Sequence, residues 1–584
     1  MIIPQHIFLK IGGKYMKKRW LFSLLIILLI SSLVLAACGT PKVEEPQDDG
    51  PVAEESDAAD TDTDADADAD EPAEPKVLTM AWTQEPDTLN RSYSNMWYMS
   101  ALTDLYSCRP WMYDDNNEPY PYLLTEMPAV SDDGLVVTMT LRDDLIWSDG
   151  TALTADDFLF THSMVVNENN AVQSVYPYDL FEPTAPDSQT VVMTFSEPFT
   201  PWQSQIWAGD LMPKHILGPV FESEGTIDEA EWNMNPTVGC GPFSFTEWES
   251  GSYLRFDKNE NFWGQLAKID TVFFQLVPDD AAQTAAALAG DVDIAFWPPY
   301  EDIPAFREAG MAIITQPSGY NEGWYFNLRE DSASPGIQDL VVRKAIAMAL
   351  DRESNTDIRL GVVKPGKTFF DALPAYVSPD IEPWSFDPEG AKQLLEEAGY
   401  VDSDGDGIRE DLDGNPLVIT QGNTTKEERQ NYQAVAQQQL LEVGIDLQIF
   451  SYDADILFGS YSDGGPAAIG ELDIMQWSDA PAFPDPDTPY WLCSEMVSDE
   501  YPWGYNYFIC DEYLDGLFQE QLVTTDPAAR QAIFHDITKY MHENIYFLNI
   551  WDDPDVWIVS PDLTGYKFSG VTPFYNLAEW DFVE

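Results

Sequence analysis

Basic side chains are scarce in this chain: 29 Lys and Arg stand against 101 Asp and Glu, a formal net charge of −72. That balance repels phosphate backbones and anionic bilayers, which excludes nucleic-acid binding and adhesion of the protein surface to acidic membranes. Histidine is rarer still, with 5 residues, and cysteine equally so, with 5. No Cys-x-x-Cys or Cys/His spacing suited to zinc occurs, and His535 and His542, seven apart on an expected helix, read as surface positions. The Gly-x-Ser-x-Gly signal of many serine hydrolases is missing as well. Long hydrophobic runs are lacking: the apolar stretch at 20–35 is interrupted by Ser23, Ser31 and Ser32 and is too short for a membrane span. What the chain does have is hydrophobic content of 44% and aromatic content of 13%, including 19 Trp, enough to build large cores. Its 584 residues exceed one ordinary domain.

Acidic residues are absent from positions 1–37, which form a different kind of sequence. Lys17, Lys18 and Arg19 precede the apolar stretch, and Leu35-Ala36-Ala37-Cys38 ends it, the layout of a secretory signal. The arrangement resembles the bacterial lipobox, which implies lipidation of Cys38 as the mature N-terminus; Met16, just before the basic cluster, reads as an alternative start. Residues 38–76, rich in Glu, Asp, Ala and Pro, have no apolar face to bury and are expected to form an extended, disordered acidic tether. With Cys38 assigned to lipid, Cys108, Cys240, Cys493 and Cys510 remain, an even number that permits disulfides in an exported protein with three connectivities. Cys493 and Cys510, close in one loop-rich stretch, are the expected bridge; Cys108 and Cys240 are the remainder.

Beyond the tether, strands are expected at 77–82, as a pair within 134–150, near 253–256 and at 272–276. Helical patterns run over 280–290, 339–352, 387–399, 426–444 and 526–544, most with polar starts and several with Gly at the end. In 339–352 an apolar stripe packs inward, leaving Arg343 and Lys344 at the surface. Mixed elements without a fixed repeat indicate α/β or α+β domains. Trp147, Asp149 and Gly150 read as a tight turn before a helix capped by Thr154, and Gly239 and Gly241 as a turn that shapes the backbone.

Several motifs then combine. IWSDGTALTADDF (146–158), PKHIL (213–217), VGCGPFSF (238–245), NENFWG (259–264), LAGDVDI (288–294), GWYFNL (323–328), VRKAIAMALDR (342–352) and FDPEGAKQLLEEAGY (386–400) follow one another in order. Together they resemble the family 5 extracellular solute-binding proteins, the peptide-type binding components of ABC importers. The resemblance implies an α/β fold of the periplasmic-binding-protein-like type II (cluster C) kind: two lobes with an extra domain, mixed β-sheets flanked by helices. It divides the chain into a signal (1–37), tether (38–76), domain I in three parts (77–108, 232–318 and 561–584), domain II (109–231) and domain III (319–560). It implies a receptor without enzymatic activity, a monomer anchored by lipid to the outer face of the cell membrane. Such a receptor captures a peptide or other small solute by lobe closure and delivers it to ABC permease subunits. Oligosaccharides are the rival ligand and an exported hydrolase the rival class.

Carried onto this chain, the resemblance nominates Asn95, Trp97, Trp324, Tyr325, Asn327, Trp477 and Asp479 as ligand-binding, with core packing the alternative for each aromatic. Peptide receptors of the family hold the peptide amine with an Asp in a W-x-A-D-Y-x-D-P loop; here Asp485-Pro486 fits the final pair, but Ala482 stands at the position of that Asp. No cofactor is expected apart from a structural calcium ion. DSDGDGIREDLD (402–413) matches D-x-D-x-D-G, with Asp402, Asp404, Asp406, the Ile408 carbonyl and Asp413, or Glu410 in its place, as ligands. A solvated acidic turn is the alternative.

Overall fold

The structure, a computed structural model, describes residues 74–584 except 95, 330–333, 360–361, 460, 462–463, 480–482, 487–488, 499–500, 502–503, 505 and 584. The signal segment, Cys38 and nearly all of the tether therefore lie outside the described residues.

Two sheets organise the chain. The first has seven strands in the order Ala312–Gln316, Asp555–Val559, Ile294–Phe296, Val77–Trp82, Thr271–Leu276, Tyr253–Lys258 and Phe243–Glu249. The second has five, Asp446–Tyr452, Val418–Thr424, Ile474–Asp479, Asn321–Phe326 and Phe547–Asp552. Val77–Trp82 pairs in parallel with strands on both sides and is apolar on both faces, as a central strand must be. A four-stranded antiparallel sheet built from 129–195 lies in the segment between the first and second parts of the seven-stranded sheet. The expected helices form as Asp280–Ala289, Pro388–Glu397, Glu427–Glu442 and Pro527–Asn544. Among the described residues no helix is long and apolar enough to cross a membrane.

Three local expectations meet a different structure. Only one strand, Val136–Thr140, forms within 134–150; the remainder folds into the turn at Trp147–Thr151, held by Trp147 N donating to Thr151 O (2.8 Å) and Thr151 N to Asp149 Oδ1 (2.9 Å). Thr154 does cap the next helix, in a reciprocal box with Asp157. The helix expected over 339–352 stops at Ala349, where Leu350 turns extended, and a second begins at Arg352. Arg343 is buried: its guanidinium donates to the carbonyls of Ile337 and Gln338 (2.8 Å each) and of Asn544 (2.9 and 3.1 Å). A cation is favoured there because it meets the unpaired carbonyls at the ends of two helices, which a surface position would leave open.

Both bridges form, with Cα atoms 5.6 Å apart for Cys108–Cys240 and 4.7 Å for Cys493–Cys510. Around Cys240 the backbone runs so close to the chain at 105–106 that a Cβ on Gly239 or Gly241 would lie 2.2 Å from a carbonyl oxygen, so only glycine fits at either position.

Candidate functional site

The chain passes between the two sheets twice, at 316–321 and at 552–555, and the passages run side by side. Gln316 pairs with Asp555 in the first sheet, Asn321 with Asp552 in the second, and Asp553 N donates to Tyr320 O (3.0 Å) between them. Strand alternation puts Asp555 on the same face as Trp557, whose ring stacks on Phe568 and meets Phe296 and Trp97. On that face an aromatic wall forms. Trp97 stacks on Phe296 (4.2 Å, 12°) and neighbours Trp297 (5.3 Å), and Trp297 stands perpendicular to Tyr320 (5.8 Å, 90°). Trp297 is held at φ 48, a left-handed conformation rare for so bulky a residue, with its amide bound to Val556 O (2.9 Å). Trp97, Trp297 and Tyr320 remain only half-buried.

Charge is unevenly arranged around Tyr320. Burial raises its hydroxyl pKa, the carboxylates of Asp555 and Asp479 raise it further, and Arg91 opposes them. Asp553 is pushed up mainly by burial, although it accepts from Ser478 Oγ (3.1 Å) and Tyr300 Oη (3.2 Å). Asp555 is 0% exposed, and among the described residues neither carboxylate oxygen has a partner within hydrogen-bond geometry. Burial holds its carboxyl well above the usual range, with the Ser318 hydroxyl acting against that. Nε of Arg91 and Nε1 of Trp297 are likewise buried without partners.

The structure separates the residues nominated from sequence. Trp97 lies on the aromatic wall; Asn95 lies outside the described residues. Alternation divides Trp324 from Tyr325. Tyr325 shares a sheet face with Trp477, on which it stacks (4.5 Å, 21°), and with Asp479 two residues further along the same strand. Trp324 is on the opposite face, fully buried, with Nε1 bonded to Gln476 Oε1 (2.9 Å). Asn327 is also fully buried and holds backbone, donating to the carbonyls of Gly470 and Leu472 (3.1 Å each). Asp485 pairs in two-pronged fashion with Arg530 (2.6 and 2.7 Å), and position 482 lies outside the described residues. Sequence reasoning missed Arg91, Trp297, Tyr320 and Asp555. A signal existed for the last: Asp552, Asp553 and Asp555 crowd three carboxylates around Pro554 immediately before an apolar strand.

In the acidic loop, carboxylate oxygens of Asp402, Asp404, Asp406 and Glu410 lie within 4.8 Å of one another. Asp413 is not among them. The bridge between Val401 and Glu410 turns the chain back, so that Glu410 closes the group and Asp413 falls in the next turn, around Asp411 and Asn415. Backbone amides of Gly405 (2.7 Å) and Gly407 (3.0 Å) donate to Asp402 and fold the loop around it.

Residues 118–498 match the family described as bacterial extracellular solute-binding proteins, family 5. The chain belongs to that family. This family 5 protein is 25% identical over 476 residues to the oligopeptide-binding protein AppA of Bacillus subtilis, covering 78% of this chain and 82% of that one. It is 25% identical over 509 residues to the nickel-binding periplasmic protein of Escherichia coli, covering 85% and 93%. Among solved structures, AppA of Bacillus subtilis in complex with a nonapeptide superposes with a TM-score of 0.72 at 22% identity, over 87% of this chain and 100% of that one. NikA of Brucella suis with Fe(III)-EDTA gives 0.74 at 22% identity, over 87% and 100%. The α/β, type II binding-protein fold expected from the motifs is therefore the fold of this family 5 protein. The named ligands differ widely, so the site's own chemistry must decide which applies here.

Proposed function

We propose that this protein is the extracytoplasmic receptor of an ABC importer, anchored through lipid on Cys38, which captures a peptide-like solute by lobe closure and passes it to a membrane permease. The observation that carries the reading is the double crossing. Two sheets joined by two short adjacent passages can rotate about them; the passages carry Tyr320 and the carboxylates of Asp553 and Asp555, and Arg91 acts on Tyr320 from outside them. Aromatic walls with a few charged anchors suit a solute that has apolar side chains and ionised ends. A thermal-shift screen of short peptides, oligosaccharides and metal chelates tests this: peptides are expected to raise the melting temperature. A shift from oligosaccharides alone removes the peptide reading, and turnover of any bound solute removes the receptor reading.

For the acidic loop we propose a structural calcium ion held by Asp402, Asp404, Asp406 and Glu410, a hard-oxygen donor set that fits calcium better than a transition metal. Chelator is expected to lower the melting temperature, and added calcium to restore it. An unchanged value removes the ion.

A further inference from the structure

We infer that Asp555 is the anchor for a cationic nitrogen of the bound solute, an ammonium group enclosed by the Trp297 and Tyr320 rings at the double crossing. The inference rests on the peptide-receptor reading above and goes on to name the group that orients the solute.

The argument starts from the cost of a buried carboxylate. Both Asp555 oxygens are inaccessible and, among the described residues, without a partner in hydrogen-bond geometry, and ionising such a group in a dry interior is strongly unfavourable unless a donor or countercharge meets it. Elsewhere this chain meets that requirement from its own residues: Glu322 has Arg429, Asp485 has Arg530, and Asp104 has Arg109. Among the described residues Asp555 has no such cation, and the Ser318 hydroxyl is the donor that acts on it. Its alternation in the strand aims it at the face carrying Trp97 and Trp557. Two aromatic faces beside a carboxylate form a favourable enclosure for an alkylammonium. Arg91, the guanidinium that acts on Tyr320, repels a second cation and so confines the ammonium to the Asp555 side. A divalent metal fits poorly, because among the described residues the carboxylates that converge on one point are those of the loop at 402–410.

The test uses the purified protein, native mass spectrometry and a tryptic casein digest, offered untreated or with its amines acetylated. The wild-type protein is expected to retain species from the untreated digest and none from the acetylated one. Asp555→Asn is expected to reduce retention by about tenfold or more, the loss of a charge-assisted contact. In the ligand-free state the same variant is expected to melt about 1–3 °C higher, because an isosteric amide is neutral at every pH whereas the buried carboxyl must take up a proton on folding. Equal retention of acetylated species keeps the peptide reading and overturns the anchor. Undiminished retention by Asp555→Asn, or a fall in its ligand-free melting temperature, also overturns the anchor. Retention from neither digest overturns both readings.

Discussion

Glu322 and Asp555 make an instructive pair. Each lies where the chain has just crossed between the sheets, and each is buried, at 2% and 0% exposure. Around Glu322 the interior is complete: Arg429 donates through Nε and Nη2 (2.8 Å each), and Gln476 adds a third bond (2.9 Å). Gln476 in turn accepts from Trp324 and Gln421, so one network knits the middle of the five-stranded sheet to the helix behind it. Around Asp555 the described residues supply no cation, and the Ser318 hydroxyl is the donor that acts on it. Burial alone therefore does not distinguish a structural carboxylate from a functional one; the partners do.

The largest effect is expected at the completed site. Glu322→Gln leaves the buried Arg429 guanidinium without its countercharge, and should cost about 3–5 kcal/mol in urea unfolding. A loss under about 1 kcal/mol would erase the contrast. Next comes Asp555→Asn, with the opposite sign: a gain of about 1–3 kcal/mol in the ligand-free protein, read by the same unfolding assay. Should both variants lose stability, the two carboxylates are equivalent and the functional assignment of Asp555 fails.

The contrast also explains what was legible in the sequence. Strand and helix positions followed from apolar periodicity, and the family from its ordered motifs, because both are local. Trp324 and Tyr325 were nominated together because the sequence brings them together, yet adjacent residues in a strand face opposite ways, and only pairing with Ile474–Asp479 reveals which face each takes. The apolar stripe of its helix points Arg343 to the surface, yet the carbonyls it satisfies belong to Ile337, Gln338 and Asn544, the last 201 positions away. Asp555 escaped notice for a related reason. Acidic residues are so numerous here that one more carries no signal until its lack of partners is seen in three dimensions.

Asp552 provides a graded test between the two extremes, since it has some partners but not enough. Asn549 Nδ2 donates to it (3.0 Å) and Lys364 lies 3.8 Å away, yet burial, and then repulsion from Asp371, push its carboxyl up to about 7. Asp104 is pushed up to about 6 by burial, against the pull of Arg109 at 3.3 Å. A carboxyl raised in the folded state binds its proton more tightly there than in the unfolded chain. Its contribution to stability is therefore fully present below the ordinary carboxylate range and is lost progressively as pH rises from that range to the raised value, about 6 for Asp104 and about 7 for Asp552. The melting temperature at fixed ionic strength should accordingly fall between about pH 4 and pH 7, and Asp552→Asn should flatten its upper part, between about pH 6 and pH 7, where Asp104 no longer contributes. Repulsion among the exposed carboxylates cannot produce the same result, because those groups ionise at lower pH and their effect weakens with salt. An unaltered slope in Asp552→Asn would mean that Asn549 and Lys364 already satisfy the group, placing Asp552 with Glu322 and leaving Asp555 as the only member of its class among the carboxylates of the two crossings.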